Sequence, residues 1–297
     1  MGAILSPRIG IPLLMLLATL FAANHISARL AFDHGTSIAA AVAVRSGVTA
    51  LAMVALLRAH GQSLALPRAT LWRGLGIGVL VAVQSYCLYQ AVAIIPVALA
   101  LLAFNTHPML FVTLSWAAGG HNPGRRALVA MPLALIGLVL ALDILGTVQA
   151  MEGRWAEIGA GVSWALGAAA SFATAMFLTT RFLQDVDGRL RTLLTMGTTA
   201  VIVGAAGAIA GGLQLPQDAV GWTGLALLTV LYGSAITSIF TVVPRLASPS
   251  NTAALNFEPI AALALGWAIL GQGMAPRQMV GALVVVGAVI LIGTKRG

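Results

Sequence analysis

Long apolar runs broken by short polar clusters dominate the 297 residues. The runs are about 20 residues long, which is what an α-helix needs to cross roughly 30 Å of hydrocarbon. The pattern predicts spans near 9–29, 37–58, 72–93, 96–118, 126–144, 157–180, 192–212, 220–243, 250–271 and 277–294. Several breaks carry turn chemistry: DHGTS at 33–37, GGHNPG at 119–124, QDVDG at 184–188, QLPQD at 214–218 and ASPSN at 247–251. The expected fold is all-α and polytopic, with ten transmembrane helices.

Composition agrees. Hydrophobic residues make up 59% of the chain and charged residues 8%, with a mean hydropathy of +0.97. A soluble domain carries about 25% charged residues, so this chain must use lipid as its solvent. The net charge of +8 raises nucleic acid as a partner, but in a membrane chain a basic excess is first of all topological. With the N-terminus inside, twelve basic residues fall in inner segments and three (Arg29, Arg154, Arg277) in outer ones. Both termini are therefore expected in the cytoplasm, with the 145–155 connection outside and no nucleic-acid partner. The apolar run after Arg8 has no convincing small-x-small cleavage site and reads as an uncleaved first helix. Fifteen of the sixteen basic residues are Arg, which suggests a GC-rich bacterial genome and hence a bacterial inner membrane. The single cysteine, Cys87, allows no disulfide within one chain. Trp72, Trp116, Trp155, Trp222 and Trp267 fall at span ends, as an interfacial aromatic belt requires, whereas Trp164 lies inside the sixth span.

Two polar interruptions repeat. AFNTHPML at 103–110 and LNFEPIAA at 255–262 place Asn256 and Pro259 each 151 residues after Asn105 and Pro108. The same offset pairs Phe21 with Phe172, Trp116 with Trp267, Gly120 with Gly271 and Arg126 with Arg277. The chain thus reads as two five-helix units, 1–148 and 149–297, forming one integrated transmembrane domain. Five is odd, so the copies insert in opposite orientations. Such inverted repeats are a transporter architecture, because two mirrored halves can exchange conformations about a central site.

The second repeat, from LYGSAITSIF at 231–240 through LNFEPIAALALGWAILGQG at 255–273 to the apolar end at 293, resembles the drug/metabolite transporter superfamily and its ten-helix EamA-type exporters. The first repeat matches through YQAVAIIPVALALLAFNTHPMLFVTLSWAAGG, 89–120. The resemblance covers the full chain and implies ten helices, alternating access and no cofactor. Its overall pattern is most similar to the bacterial amino-acid exporter branch, which includes aromatic amino-acid exporters. Two positions depart from the family. His107-Pro108 stands where the fourth helix often has Glu-Pro, and His121 and Gln272 stand where a Glu often follows Gly.

The candidate residues are the polar ones set deep in spans. Asn105 and Asn256 lie near mid-membrane, each three residues before a Pro, where they read either as helix glue or as substrate contacts. Glu258 is the acidic residue placed deep in a span, and intramembrane charges default to function: an amine ligand or a proton carrier. Its counterpart His107 suits either part. Arg45, in the second span, reads as a snorkelling or paired group, with a carboxylate anchor as the functional alternative. Tyr86, Tyr89 and Gln90 share one helix face by spacing. With Tyr232 and Trp164 they offer apolar bodies carrying single hydrogen-bonding groups, suited to an aromatic or thioether side chain. Asn24, His25 and Ser27 are weaker candidates. Gly74-x-x-x-Gly78 and Gly207-x-x-x-Gly211 read as close helix contacts. The chain carries no Walker sequence, no HExxH and no Cys/His ligand cluster. The expected activity is therefore secondary transport, not an enzyme reaction: export of a small metabolite, most often an amino acid, by a monomer (a dimer being the alternative). The competing readings are an importer or uncoupled facilitator of a nucleoside, sugar or drug-like compound, and an intramembrane enzyme using His107 and Glu258.

Overall fold

The computed structural model describes residues 7–119, 125–141, 154–242, 257–272 and 275–293. Among them the chain is helical: α1 Pro7–Asp33, α2 Ile38–Ala59, α3 Arg68–Ile94, α4 Val97–Phe104, α5 His107–Ala117, α6 Arg125–Ala141, α7 Trp155–Phe182, α8 Gly188–Ile209, α9 Ala219–Val242, α10 Glu258–Leu270 and α11 Pro276–Gly293. Seven segments are long and apolar enough to cross a membrane, with Val97–Ala117 (α4 and α5 together) counted as one. Glu258–Leu270 and Pro276–Ala288 are shorter apolar helices. The protein is a multi-pass membrane protein.

Side chains that would be anomalous in water are ordinary here. Leu51, Val201 and Leu283 are exposed in mid-helix, facing the lipid that replaces water as solvent. Trp72, Trp116, Trp222 and Trp267 are also exposed. The interior instead collects polar groups, with Asn24, His25, Arg45, Ser46, Thr49 and Ser85 all buried.

The halves interleave rather than sit side by side. α3 packs most extensively on α7 and also on α8, both from the other half; its counterpart α9 packs in the same way on α1 and α2. α2 lies against α8, and α6 against α11. Small residues permit the closest crossings. A Cβ added at Gly78 would meet the Thr198 Cβ at 2.6 Å, and one at Gly74 the Leu194 Cδ1 at 2.6 Å. Of the second glycine pair only Gly207 is such a contact, with Ala39 2.7 Å from its Cβ position. Gly211 has open space around it and a φ of +65°, so it ends α8 in a left-handed turn instead.

The NTHP interruption is a tightened turn within one span: Asn105 and Thr106 keep near-helical angles (φ −65°, ψ 3° and φ −73°, ψ −13°), and Thr106 N donates to Ala103 O, three residues back, at 3.2 Å. Pro108 falls in the first turn of α5, a favoured place for Pro. It has no N–H to offer Phe104 O, whereas Leu101 O and Ala103 O already accept from the Asn105 and Thr106 backbone N–H groups. Asn105 Nδ2 donates to Leu101 O at 3.0 Å, Thr106 Oγ1 donates to Ala103 O at 2.8 Å, and His107 Nδ1 lies 3.1 Å from Phe104 O. The His107 ring thus meets the one carbonyl that Pro108 leaves without a backbone donor, and Asn105 and Thr106 add second donors to carbonyls already bonded. α10 likewise opens on Glu258-Pro259. Asn256 lies outside the described residues, as do His121 and the 145–153 stretch.

Candidate functional site

Helices from both halves enclose a central cavity of about 310 Å³. Its walls are Phe21 and His25 of α1, Arg45 of α2, Gln84, Ser85, Leu88 and Tyr89 of α3, Phe104 and His107 at the α4–α5 turn, Phe172 of α7, Tyr232 and Ile236 of α9, and Glu258 at the start of α10. Repeat partners face each other across it: Phe21 with Phe172, and His107 with Glu258. The volume sits at the lower end of the range of about 300–1,000 Å³ for small-molecule sites.

A polar chain runs along one wall. Glu258 Oε1 lies 3.5 Å from His25 Nε2. The His25 ring meets Tyr89 edge-on at 5.8 Å. Tyr89 donates to Asn24 Oδ1 at 3.3 Å and accepts from Arg45 Nη1 at 3.0 Å. Arg45 Nη2 donates to Ser85 Oγ at 3.1 Å. The guanidinium carbon is 4.0 Å from the ring centre of Tyr232 and 4.9 Å from that of Tyr89. Tyr232 in turn meets Phe21 edge-on at 6.1 Å. Arg45 is only 3% exposed, and among the described residues no carboxylate pairs with it. Its Nε–H has no acceptor. Two neutral hydroxyls and two ring faces hold the cation, each ring face contributing about 0.5–2 kcal/mol. Burying an unpaired charge costs several kcal/mol.

The opposite wall is aromatic. Phe104, His107 and Phe172 form a three-ring cluster with centre distances of 4.9 to 5.5 Å. Phe172 also lines a second cavity of about 280 Å³ between α3, α7 and α8, which carries Thr179, Thr180, Thr192, Thr195 and Arg191 and reaches the end of the bundle at Gly188. Phe172 is therefore shared by the central cavity and the cleft at that face.

The other face is fastened. Ser37 N donates to Gln214 O at 3.0 Å, Gln214 N to Ser37 Oγ at 3.1 Å, and Gln217 N to His34 O at 3.2 Å. His34 Nδ1 lies 2.6 Å from Asp218 Oδ2. The Gly221 N–H and the His34 ring hold the Asp218 carboxyl below the usual carboxylate range. Ser37 also accepts from Ala40 N and so caps α2. Ala28, Ala31, Ala41, Val42, Val203, Leu225 and Leu228 form a buried apolar cluster on the α1–α2–α9 side, while Ser37, Ile38, Ala39 and Val203 also line a cavity of about 700 Å³ beside α3 and α8. The equivalent loops at the cleft face are 60–67 and 183–188, and no hydrogen bond joins them. There Asp187 instead caps its own helix and pairs with Arg189, whose side chain holds the Asp187 carboxyl low.

The two halves pack interleaved, and a polar cavity lies at their interface. Family comparison matches the EamA-like transporter family twice, over residues 8–142 and 159–294. The chain belongs to the EamA-like transporter family. No curated protein matches it, whereas 22 chains of solved structures do. One of them, described only as "Crystal structure of protein", superposes with a TM-score of 0.65 at 17% identity, covering 95% of each chain. That likeness shows a shared fold.

In this EamA-like transporter, Tyr89, His107, Tyr232 and Glu258 come together on the central cavity. Asn105 is engaged at the α4–α5 turn. Tyr86, Gln90 and Trp164 line the separate cavity of about 700 Å³ between α2, α3, α7 and α8. There Gln90 donates to the Tyr86 hydroxyl at 2.8 Å, and Tyr86 meets Trp164 edge-on at 6.4 Å. Val79, Val83, Ile202 and Trp164, all exposed, mark its lipid side. Helical spacing puts Tyr86 and Tyr89 only about 60° apart around the axis, so they sit at the border between two cavities, and packing decided which one each serves. Sequence reasoning gave too little weight to Arg45 and His25. Their signal was present as charged or ionisable residues within apolar runs.

Proposed function

We propose that this chain exports small amphiphilic metabolites, amino acids with aromatic or large apolar side chains first, across a bacterial inner membrane by alternating access. The observation that carries the reading is the central cavity: both halves line it, and it combines an acid, an arginine, two imidazoles and a set of aromatic rings. With both termini cytoplasmic, as the basic residues favour, the latched face is periplasmic and the threonine-lined cleft is cytoplasmic. The conformation is then one that loads from the cytoplasm. Exchange would part the Ser37–Gln214 latch and close the cleft beyond Phe172. An uncoupled facilitator is the second reading. It is favoured by His107, which stands where a second carboxylate would make the two halves symmetric.

The test is purified protein in liposomes, offered labelled amino acids, nucleosides and sugars. Protein-dependent movement of phenylalanine or methionine ahead of glycine, aspartate and lysine is expected. Equal movement of all of them would overturn the substrate reading, and chemical conversion of any would overturn the transport reading. Alkaline phosphatase fused after Ala150 reports orientation, and activity outside the cytoplasm is expected.

A further inference from the structure

We infer that Arg45 is a carboxylate subsite, so that the transported molecule must carry a free carboxylate whose charge the buried guanidinium neutralises. The inference rests on the transporter reading and specifies what its cavity selects. Four observations support it. Arg45 brings a guanidinium into the core of the bundle, where it is buried, and it lines the central cavity. Its contacts are all neutral: the Tyr89 and Ser85 hydroxyls and the Tyr232 and Tyr89 rings. Its Nε–H is buried without an acceptor. Glu258, the one acid on the cavity wall among the described residues, is turned to His25 instead, and the His25 and Tyr89 side chains stand in series between it and Arg45.

A guanidinium recognises a carboxylate through parallel N–H donors, and the interaction is strongest where water is excluded. The hydroxyls and rings fix the fork in place without neutralising it, which leaves its charge for a ligand. The same wall puts Glu258 and His25 beyond Tyr89, where a ligand ammonium would be received. The Phe104–His107–Phe172 cluster opposite offers an apolar surface for a side chain. The ligand class is therefore a carboxylate with an apolar body. A zwitterion fills both charged ends.

Four probes of one shape separate these charges: L-phenylalanine, 3-phenylpropionate, 2-phenylethylamine and phenylalanine methyl ester. Binding is measured on purified wild-type protein by titration calorimetry, and on Arg45→Gln and Arg45→Lys. Wild type is expected to bind phenylalanine and 3-phenylpropionate at least about 30-fold more tightly than the amine or the ester, since losing one partner of a buried charge pair costs 2 kcal/mol or more. Arg45→Gln should erase that difference by weakening the two carboxylates alone, and Arg45→Lys should recover part of it. Equal wild-type affinity for the ester and the amino acid overturns the inference, as does uniform weakening of all four probes in Arg45→Gln or no binding of either carboxylate. If the variants do not fold, the four-probe comparison on wild type decides. Movement of the amine through wild-type liposomes without the carboxylates would overturn this inference and leave the transporter reading standing.

Discussion

Gly78→Ala tests how closely the two halves are held at the α3–α8 crossing. Gly78 of α3 lies against Thr198 of α8. An added Cβ would stand 2.6 Å from the Thr198 Cβ, 2.7 Å from its Oγ1 and 3.0 Å from its Cγ2. Carbon atoms in contact prefer about 3.5–4.0 Å, so the helices must part by roughly 1 Å. Thr198 cannot swing clear, because its Cβ is fixed to the backbone and its χ1 is restricted. Overpacking of this kind costs about 1–3 kcal/mol, offset by up to about 1 kcal/mol from the better helix propensity of Ala. Gly74 gives a graded comparison: its Cβ would meet the Leu194 Cδ1 at 2.6 Å, a flexible chain end whose Cγ is 3.7 Å away. Gly76, with nothing within 4 Å, is the control. Thermal unfolding in detergent, followed by tryptophan fluorescence, should rank Gly76→Ala at or above wild type, Gly74→Ala below it and Gly78→Ala lowest. Gly78→Ala as stable as Gly76→Ala would show that α3 and α8 do not cross here.

Three further outcomes follow from the site. A Ser37→Cys/Gln214→Cys pair, oxidised to a disulfide, should stop liposome transport and reductant should restore it; Cys87 is buried and adds little background, and transport undiminished by the cross-link would refute the latch. Because Asp218 is held below the usual carboxylate range, its share of the latch is present at neutral pH and lost as pH falls through that lowered value, so acid should speed labelling of a cysteine placed beneath the latch. Asp218→Asn should show the fast rate at every pH, and an unchanged pH profile in that variant would remove Asp218 from the latch. Glu258→Gln should abolish the response of transport to a pH gradient while sparing gradient-free exchange, and wild-type transport that never accumulates substrate under any pH gradient would establish the uncoupled facilitator instead.

The membrane setting, the all-helical class, the repeat and the family were legible in the sequence because each is one-dimensional. Apolar run length reports the thickness of the solvent, and a fixed 151-residue offset reports duplication. The polar NTHP stretch could likewise be read as an interruption, since Pro108 cannot continue the preceding ladder. What Asn105 does there was decided by the carbonyl it meets, Leu101 O. Which residues form the cavity was also a three-dimensional matter. Tyr86 and Tyr89 look equivalent along the chain, but α3 is packed on both sides, so neighbouring positions serve different cavities. Arg45 could be recognised as anomalous from sequence, whereas its lack of a carboxylate partner depends on α1, α3 and α9 converging around it. The latch joins loops some 180 residues apart, partly through backbone groups and partly through Ser37, His34 and Asp218, and nothing along the chain says that those side chains meet. Sequence thus determined what the chain dissolves in and how it is duplicated, and tertiary packing alone decided which buried polar groups found partners and which were left facing the cavity.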